Sequence, residues 1–192
     1  MVAIYLLIAA LLVAADQLIK VIIDLRLGPL GESLGIAASK EIVVFDNLFS
    51  LTHVKNEGAA WGALEGKRWF LVIVATFAVA VIIYMLSTGK IKGVCYKAAT
   101  IMLLAGGLGN LIDRVFRGYV IDYIRTLFVD FPVYNFADIL ITVGAGFLII
   151  KLVQELWVEF KADRAKKRVA SEQDDEDADE IEACSDDSEI EF

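Results

Sequence analysis

Three aspartates carry the reactive pattern of this chain. Asp113 and Arg114 end the run Gly106-Gly107-Leu108-Gly109-Asn110-Leu111-Ile112, Asp122 follows in Val120-Ile121-Asp122, and Asp138 closes Asn135-Phe136-Ala137-Asp138 at the start of another apolar run. Charged side chains at membrane depth are expensive and are usually kept for function. Two close carboxylates cannot both ionise easily, so one is pushed toward an acid and the other toward a base. Such a pair can activate water and protonate a leaving amine, which is peptide hydrolysis without a metal or a covalent intermediate. Spacing alone leaves open which two of the three aspartates would do this.

The elements that must position them lie in a bilayer. The chain is 58% hydrophobic with a mean hydropathy of +0.64, too apolar for a soluble domain of 192 residues. Four runs, about 2–23, 69–86, 94–112 and 136–157, approach the roughly 20 residues that a hydrocarbon core demands. The first contains Asp16 and Lys20, the last Asp138 and Lys151. Val13-Ala14-Ala15 has the small residues of a cleavage site, but Met1-Val2-Ala3-Ile4-Tyr5 has no positive charge, so a retained helix is expected. Four spans put both termini on one side. Lys and Arg flanking the spans divide evenly between the two sides, but those of the short 87–93 connection and of Lys161–Arg168 sit tight against helix ends. That weighting points the termini to the cytosol and Asp122 and Asp138 to the outer face.

The expected fold is an all-α integral membrane protein of four transmembrane helices, with a small extracytoplasmic β-sheet between helices 1 and 2. Ile42–Phe45 and Leu48–Val54, separated by Asp46-Asn47, read as its two strands. After them Asn56-Glu57-Gly58-Ala59-Ala60-Trp61-Gly62 reads equally as an interfacial loop in the aromatic belt or as a polar loop whose Asn56 binds an extended substrate backbone. Asp16 and Lys20, at i and i+4, share a helix face, where mutual neutralisation is the simpler role and catalysis by Asp16 the weaker one. Ala105/Gly109 and Gly106/Asn110 give small-xxx-small spacing for close helix packing. Gly107-Leu108-Gly109 lacks the strand and third glycine of a dinucleotide fingerprint.

Other classes fall away. The lone His53 cannot supply the paired histidines of a zinc protease. Cys95 and Cys184 make no disulfide framework. Residues 171–192 hold twelve acidic residues and no basic ones, and without them the formal charge of −8 turns mildly positive. The membrane peptidase region is therefore expected over 1–162, and a disordered acidic cytoplasmic tail over 163–192.

Taken together, Asp16-Gln17-Leu18-Ile19-Lys20, Asn56 to Gly62, Gly106 to Arg114, Val120-Ile121-Asp122-Tyr123 and Asn135-Phe136-Ala137-Asp138 strongly resemble the bacterial lipoprotein signal peptidase family, signal peptidase II, in order and with compatible spacing from about residue 5 to 155. The resemblance implies an aspartic endopeptidase of the bacterial cytoplasmic membrane that removes signal peptides from prolipoproteins, cutting before a diacylglyceryl-modified cysteine. It maps the catalytic aspartates to Asp122 and Asp138. By the same matching Asn110, Asp113, Arg114 and Asn135 support the site, Asn56 belongs to the substrate-facing loop, and Asp16 with Lys20 forms the first-helix motif. Tyr123 stands where phenylalanine is common, and the tail inherits nothing. No cofactor, metal or nucleic-acid partner is expected. The partners are prolipoprotein substrates and membrane lipid, and the enzyme is expected to be a monomer.

Two rival readings belong to other classes. A small transporter component would show repeated halves or broken helices, and no internal repeat is present. A metal-dependent lipid-head-group transferase would use Asp113, Asp122 and Asp138 as oxygen ligands for Mg²⁺. Chelator sensitivity separates the latter from an aspartic peptidase.

Overall fold

The computed structural model describes residues 2–35, 40–59, 63–89, 91 and 93–186. Its elements run α1 (Val2–Leu27), α2 (Pro29–Leu34), β1 (Glu41–Phe45), β2 (Phe49–Asn56), α3 (Arg68–Ser87), α4 (Val94–Phe116), β3 (Val120–Thr126) and α5 (Phe136–Asp186). Ala60, Trp61 and Gly62 of the expected substrate loop, Lys90 and Lys92 of the charge tally, and residues 187–192 of the tail lie outside the described residues.

Among the described residues, four helices are long and apolar enough to cross a membrane: Ala3–Leu27, Arg68–Ser87, Val94–Phe116 and Phe136–Arg164. Each outlasts the apolar run that announces it. Hydropathy stops at the first charges, whereas the hydrogen-bonded backbone does not, so Asp113 and Arg114 ride on the last turns of α4. α4 is the central helix, with 44% of its apolar window enclosed against 11% for α3. Phe77, Ile73 and Trp69 of α3 are exposed, as side chains turned to lipid would be.

Small residues set the spacing of the bundle. A side chain at Gly106 would collide with the Ala137 carbonyl and Ile141 of α5, and one at Gly109 with the Asp16 carboxylate of α1. The small-residue stripe therefore lets α1 and α5 approach α4 closely.

The sheet corrects the expected fold class. It has three antiparallel strands in the order β1-β2-β3, and β3 comes from between α4 and α5 rather than from the loop between the first two spans. The protein is thus four spanning helices plus a sheet that joins two distant loops, and "all-α" is too narrow. β3 gave no strand signal because both its faces are covered. Val120 to Tyr123 are all buried, so polarity does not alternate. Ile121 and Tyr123 pack with Ile23 and Leu27 of α1, while Asp122 looks toward the helix ends. The short α2 was also missed, although Pro29 at its start and Gly35 at its end, with φ 71°, are ordinary helix punctuation.

The chain divides into two compact units, Met1–Leu148 and Ile149–Phe192. The second is helical through Asp186, so regular backbone extends into the acidic stretch for which disorder was expected.

Candidate active site

The site is built around the start of α5. The first N–H groups of a helix have no partners within it, and here each finds one. Asn135 accepts from Asp138 N at 3.0 Å through its side-chain oxygen, and Asp138 Oδ2 accepts from Asn135 N at 3.1 Å. This is a reciprocal cap with Asn and Asp in the cap and third positions. Phe136 N donates to the Tyr123 hydroxyl at 3.2 Å, and Ala137 N to Asp16 Oδ1 at 3.1 Å. Asp138 is thereby fixed in the first turn, at the positive end of the helix dipole. Its other oxygen accepts from Asn110 Nδ2 at 2.8 Å.

Asp122 reaches the same place from the sheet. The register between β2 and β3 slips between Leu51 and Val54, after which Val54 faces Asp122 and Asn56 faces Val120. A bulge re-aims the residues beside it. Asn56 and Asp122 become diagonal neighbours on one face, and Asn56 Nδ2 donates to Asp122 Oδ2 at 2.7 Å. Asn135 Nδ2 donates to Asp122 Oδ1 at 2.6 Å. Burial pushes the Asp122 carboxyl up to about 6, against the two amide donors, which pull it down, and with the neighbouring Asp138 charge adding to the rise. Burial likewise pushes the Tyr123 hydroxyl up, so it is a neutral partner for the α5 N-terminus.

Asp113, the third candidate, points elsewhere. Lys20 Nζ lies 2.8 Å from both Asp16 Oδ2 and Asp113 Oδ2 and donates to Asn110 Oδ1 at 3.0 Å. Asp16, Lys20 and Asp113 are fully buried. Their arrangement is a charged brace between α1 and α4, completed by Arg117, which bonds Asp113 Oδ1. Unpaired charges could not stay there, since removing one partner strands the others. The brace also orients Asn110: its oxygen is taken by Lys20 and by Asn135 Nδ2 at 3.2 Å, which turns its NH₂ toward Asp138.

Arg114 sits above the pair. Its Nη2 donates to the Gly58 carbonyl at 2.9 Å, and it lies within electrostatic reach of Asp138, Asp122 and Asp113. Gly58 N in turn donates to Asn56 Oδ1 at 2.9 Å. The side-chain amides of Asn56 and Asn135 are thus held at both ends, the oxygens by Gly58 N and Asp138 N and the nitrogens by Asp122, rather than free to rotate.

Every residue singled out from the sequence falls in this one region: Asn56, Asn110, Arg114, Asn135, Asp122 and Asp138 at its centre, and Asp16, Lys20 and Asp113 in the adjoining brace. Sequence reading missed four contributors. Gln17 Nε2 bonds the Gly109 carbonyl at 3.1 Å and Asp113 Oδ1 at 3.3 Å. Arg117 also donates to Gln17 Oε1 at 3.1 Å. Tyr123 and Arg68 complete the group. Arg117 stands four residues after Asp113, a helical pairing that was legible, as was the three-residue cap spacing of Asn135 and Asp138. Nothing in the sequence links Arg68 to α4.

Two carboxylates that share one neighbour, in a water-poor setting with amide donors and a guanidinium, are suited to moving a proton between a water, a carbonyl and an amine. The arrangement does not suit a three-aspartate cation site. Asp113 is committed to Lys20 and Arg117, and among the described residues no three His, Cys, Asp or Glu side chains group as metal ligands.

Comparison with known proteins finds relatives over most of the chain. Residues 8–154 match the family model described as signal peptidase (SPase) II. The lipoprotein signal peptidase of Lactiplantibacillus plantarum is 39% identical over 152 residues, covering 79% of this chain and 95% of that protein. That of Enterococcus faecalis is 38% identical, with 78% and 88% covered. A solved structure described as a bacterial membrane enzyme, determined by the in meso method at 2.3 Å, shares 32% identity and a TM-score of 0.69 over 80% of this chain and 90% of its own.

Proposed function

This chain belongs to the signal peptidase II family and is an aspartic peptidase of membranes that removes signal peptides from prolipoproteins, and we propose that Asp122 and Asp138 are the pair that performs the hydrolysis. The observation that carries the assignment is Asn135, whose side-chain amide holds Asp122 Oδ1 while its backbone N–H meets Asp138 Oδ2. One residue fixes the relative position of both carboxyls.

In this reading the pair holds one proton, and burial of Asp122 favours it as the proton-bearing member. The ionised partner takes a proton from water as the water oxygen bonds to the scissile carbonyl carbon. The carboxylic acid supports the carbonyl oxygen, then gives its proton to the departing amine as the C–N bond breaks. The products are a new carboxylic acid, which then ionises to solvent, and a free amine, and the pair again holds one proton. Asn56 and Arg114, joined through Gly58, hold the loop beside the reacting groups. Asn110 and Asn135 hold the carboxyls still, so little reorganisation is needed during the reaction.

The scissile bond precedes a diacylglyceryl-modified cysteine, whose lipid chains stay between helices while the peptide lies extended at the surface. The enzyme sits in the bacterial cytoplasmic membrane with its site at the outer face and its termini in the cytosol. It acts as a monomer, with residues 1–162 as the membrane-embedded peptidase and 163–192 as an acidic cytoplasmic tail. Lys161 to Arg168 beside the last span support that orientation.

The test is cleavage of a diacylglyceryl-modified prolipoprotein by the purified protein, with Asp122→Asn, Asp138→Asn and a chelator in parallel arms. Chelator-resistant cleavage lost in both variants is expected. Activity in either variant, or chelator-sensitive activity, overturns the assignment.

A further inference from the structure

Arg68 opens α3, whose apolar run has no evident use for a guanidinium. Its donors leave that helix altogether. Nε donates to the Arg114 carbonyl at 2.6 Å and Nη2 to the Val115 carbonyl at 2.7 Å. These are among the last carbonyls of α4, a helix end that lacks internal donors and carries the negative end of the dipole. The remaining closure there is local, with Arg117 N and Gly118 N both returning to the Asp113 carbonyl at 2.8 and 3.1 Å. Gly118, at φ 92°, lies beside the guanidinium, and a side chain there would meet Arg68 Nη1 at 3.4 Å. Arg68 also rides over the Trp69 ring, 5.0 Å from its centroid, which restricts its rotamers.

What Arg68 grips is the backbone of a residue whose guanidinium lies within electrostatic reach of both carboxyls. The Arg114 side chain holds Gly58 O, Gly58 N is held by Asn56, and Asn56 Nδ2 holds Asp122. A fork of two parallel donors fixes direction as well as distance, which a lysine ammonium cannot do. We propose that Arg68 is a positioning residue for the hydrolysis: by clamping the backbone of Arg114 and Val115 it aims the Arg114 guanidinium at Gly58 and the carboxylate pair. The proposal rests on the assignment of Asp122 and Asp138 as that pair.

Loss of the clamp has two consequences. The Gly58 and Asn56 contacts loosen, and a positive charge drifts from the site, so that the Asp122 carboxyl keeps its proton to higher pH. A residue that merely supported the fold would not move the pH profile.

The experiment measures kcat, KM and the pH dependence of kcat/KM for wild type, Asp122→Asn, Arg68→Ala and Arg68→Lys on one diacylglyceryl-modified prolipoprotein, with thermal unfolding of each. For Arg68→Ala, kcat should fall about tenfold, equivalent to ~1.4 kcal/mol, with KM changed by less than about twofold. Its alkaline limb should move to higher pH. Arg68→Lys should recover part of the rate and part of the limb position. Rates within about twofold of wild type for both variants, or an equal loss at every pH with no limb movement, would overturn the proposal. If Arg68→Ala does not fold, Arg68→Lys decides by the same readouts. Failure of wild type to cleave, or cleavage by Asp122→Asn, would instead count against the assignment of the pair, so the two failures are distinguishable.

Discussion

Replacing Asp122 with asparagine should separate stability from activity in a pH-dependent way. The Asp122 carboxyl lies at about 6 in the folded protein against an ordinary 3.8, a difference of about two units, or ~3 kcal/mol. Because the folded pKa is raised, the native state binds more protons than the unfolded chain between these values. The stabilisation is therefore complete below about pH 4 and lost as pH rises through about 6. Asparagine cannot titrate, so relative to wild type the variant should gain ~3 kcal/mol between pH 4 and pH 8. At this chain length that is a difference of roughly 6–12 °C in unfolding temperature.

The absolute offset is set by hydrogen bonding. Asn56 Nδ2 and Asn135 Nδ2 both donate to Asp122, and each amide is locked by another contact, Asn56 Oδ1 to Gly58 N and Asn135 Oδ1 to Asp138 N. The new side chain has one acceptor for two donors, a mismatch of about 1–3 kcal/mol. The variant should thus be the less stable protein at pH 4 and equal or more stable at pH 8, yet inactive at both. Thermal unfolding of detergent-solubilised protein across that range, followed by intrinsic tryptophan fluorescence, makes the comparison. If the unfolding-temperature difference between variant and wild type does not change with pH, the buried carboxyl is not the titrating group and the reasoning fails.

Three further outcomes follow from the same contacts. With the proton on the pair required for reaction, kcat/KM should decline as pH rises above about 6, by roughly tenfold per unit, with an apparent pKa that belongs to the pair rather than to one residue; a flat profile from pH 6 to 8 would contradict this. Asn135→Ala removes the α5 cap and an anchor of each carboxyl, so unfolding stability should drop by about 1–2 kcal/mol and kcat by on the order of 100-fold, measured together so that a stability loss alone is recognised. Lys20→Met leaves Asp16 and Asp113 buried without their shared cation and should destabilise by about 3–5 kcal/mol; adding Asp113→Asn should recover part of that loss, and a double variant no more stable than the single one would refute the brace.

Much of the site was legible because chemistry in a bilayer is sparse. A polar residue inside an apolar run must have a reason, so Asp16, Lys20, Asn110, Asp113, Asp138 and their neighbours stood out one by one. The four spans were equally visible, since each helix must satisfy its own backbone in lipid and needs a long apolar run to do so. The glycines of α4 also declared their role through spacing alone.

Only the tertiary structure could decide how these pieces meet. The pairing of Asp113 with a cation, apart from the other two aspartates, depended on Lys20, which lies ninety-three positions before Asp113 in sequence and touches it across the bundle. β3 was hidden because burial on both faces erased its alternation, and with it went the diagonal contact from Asn56 to Asp122. The hold of Arg68 on α4 likewise joins two backbone carbonyls to a distant side chain, and a carbonyl has no letter in a sequence. The sequence by itself determined which groups were available and that a membrane would surround them; folding determined which carboxyls lie among amide donors and which are paired with cations, because those surroundings depend on distances and burial that arise only when the helices and the sheet close on one another.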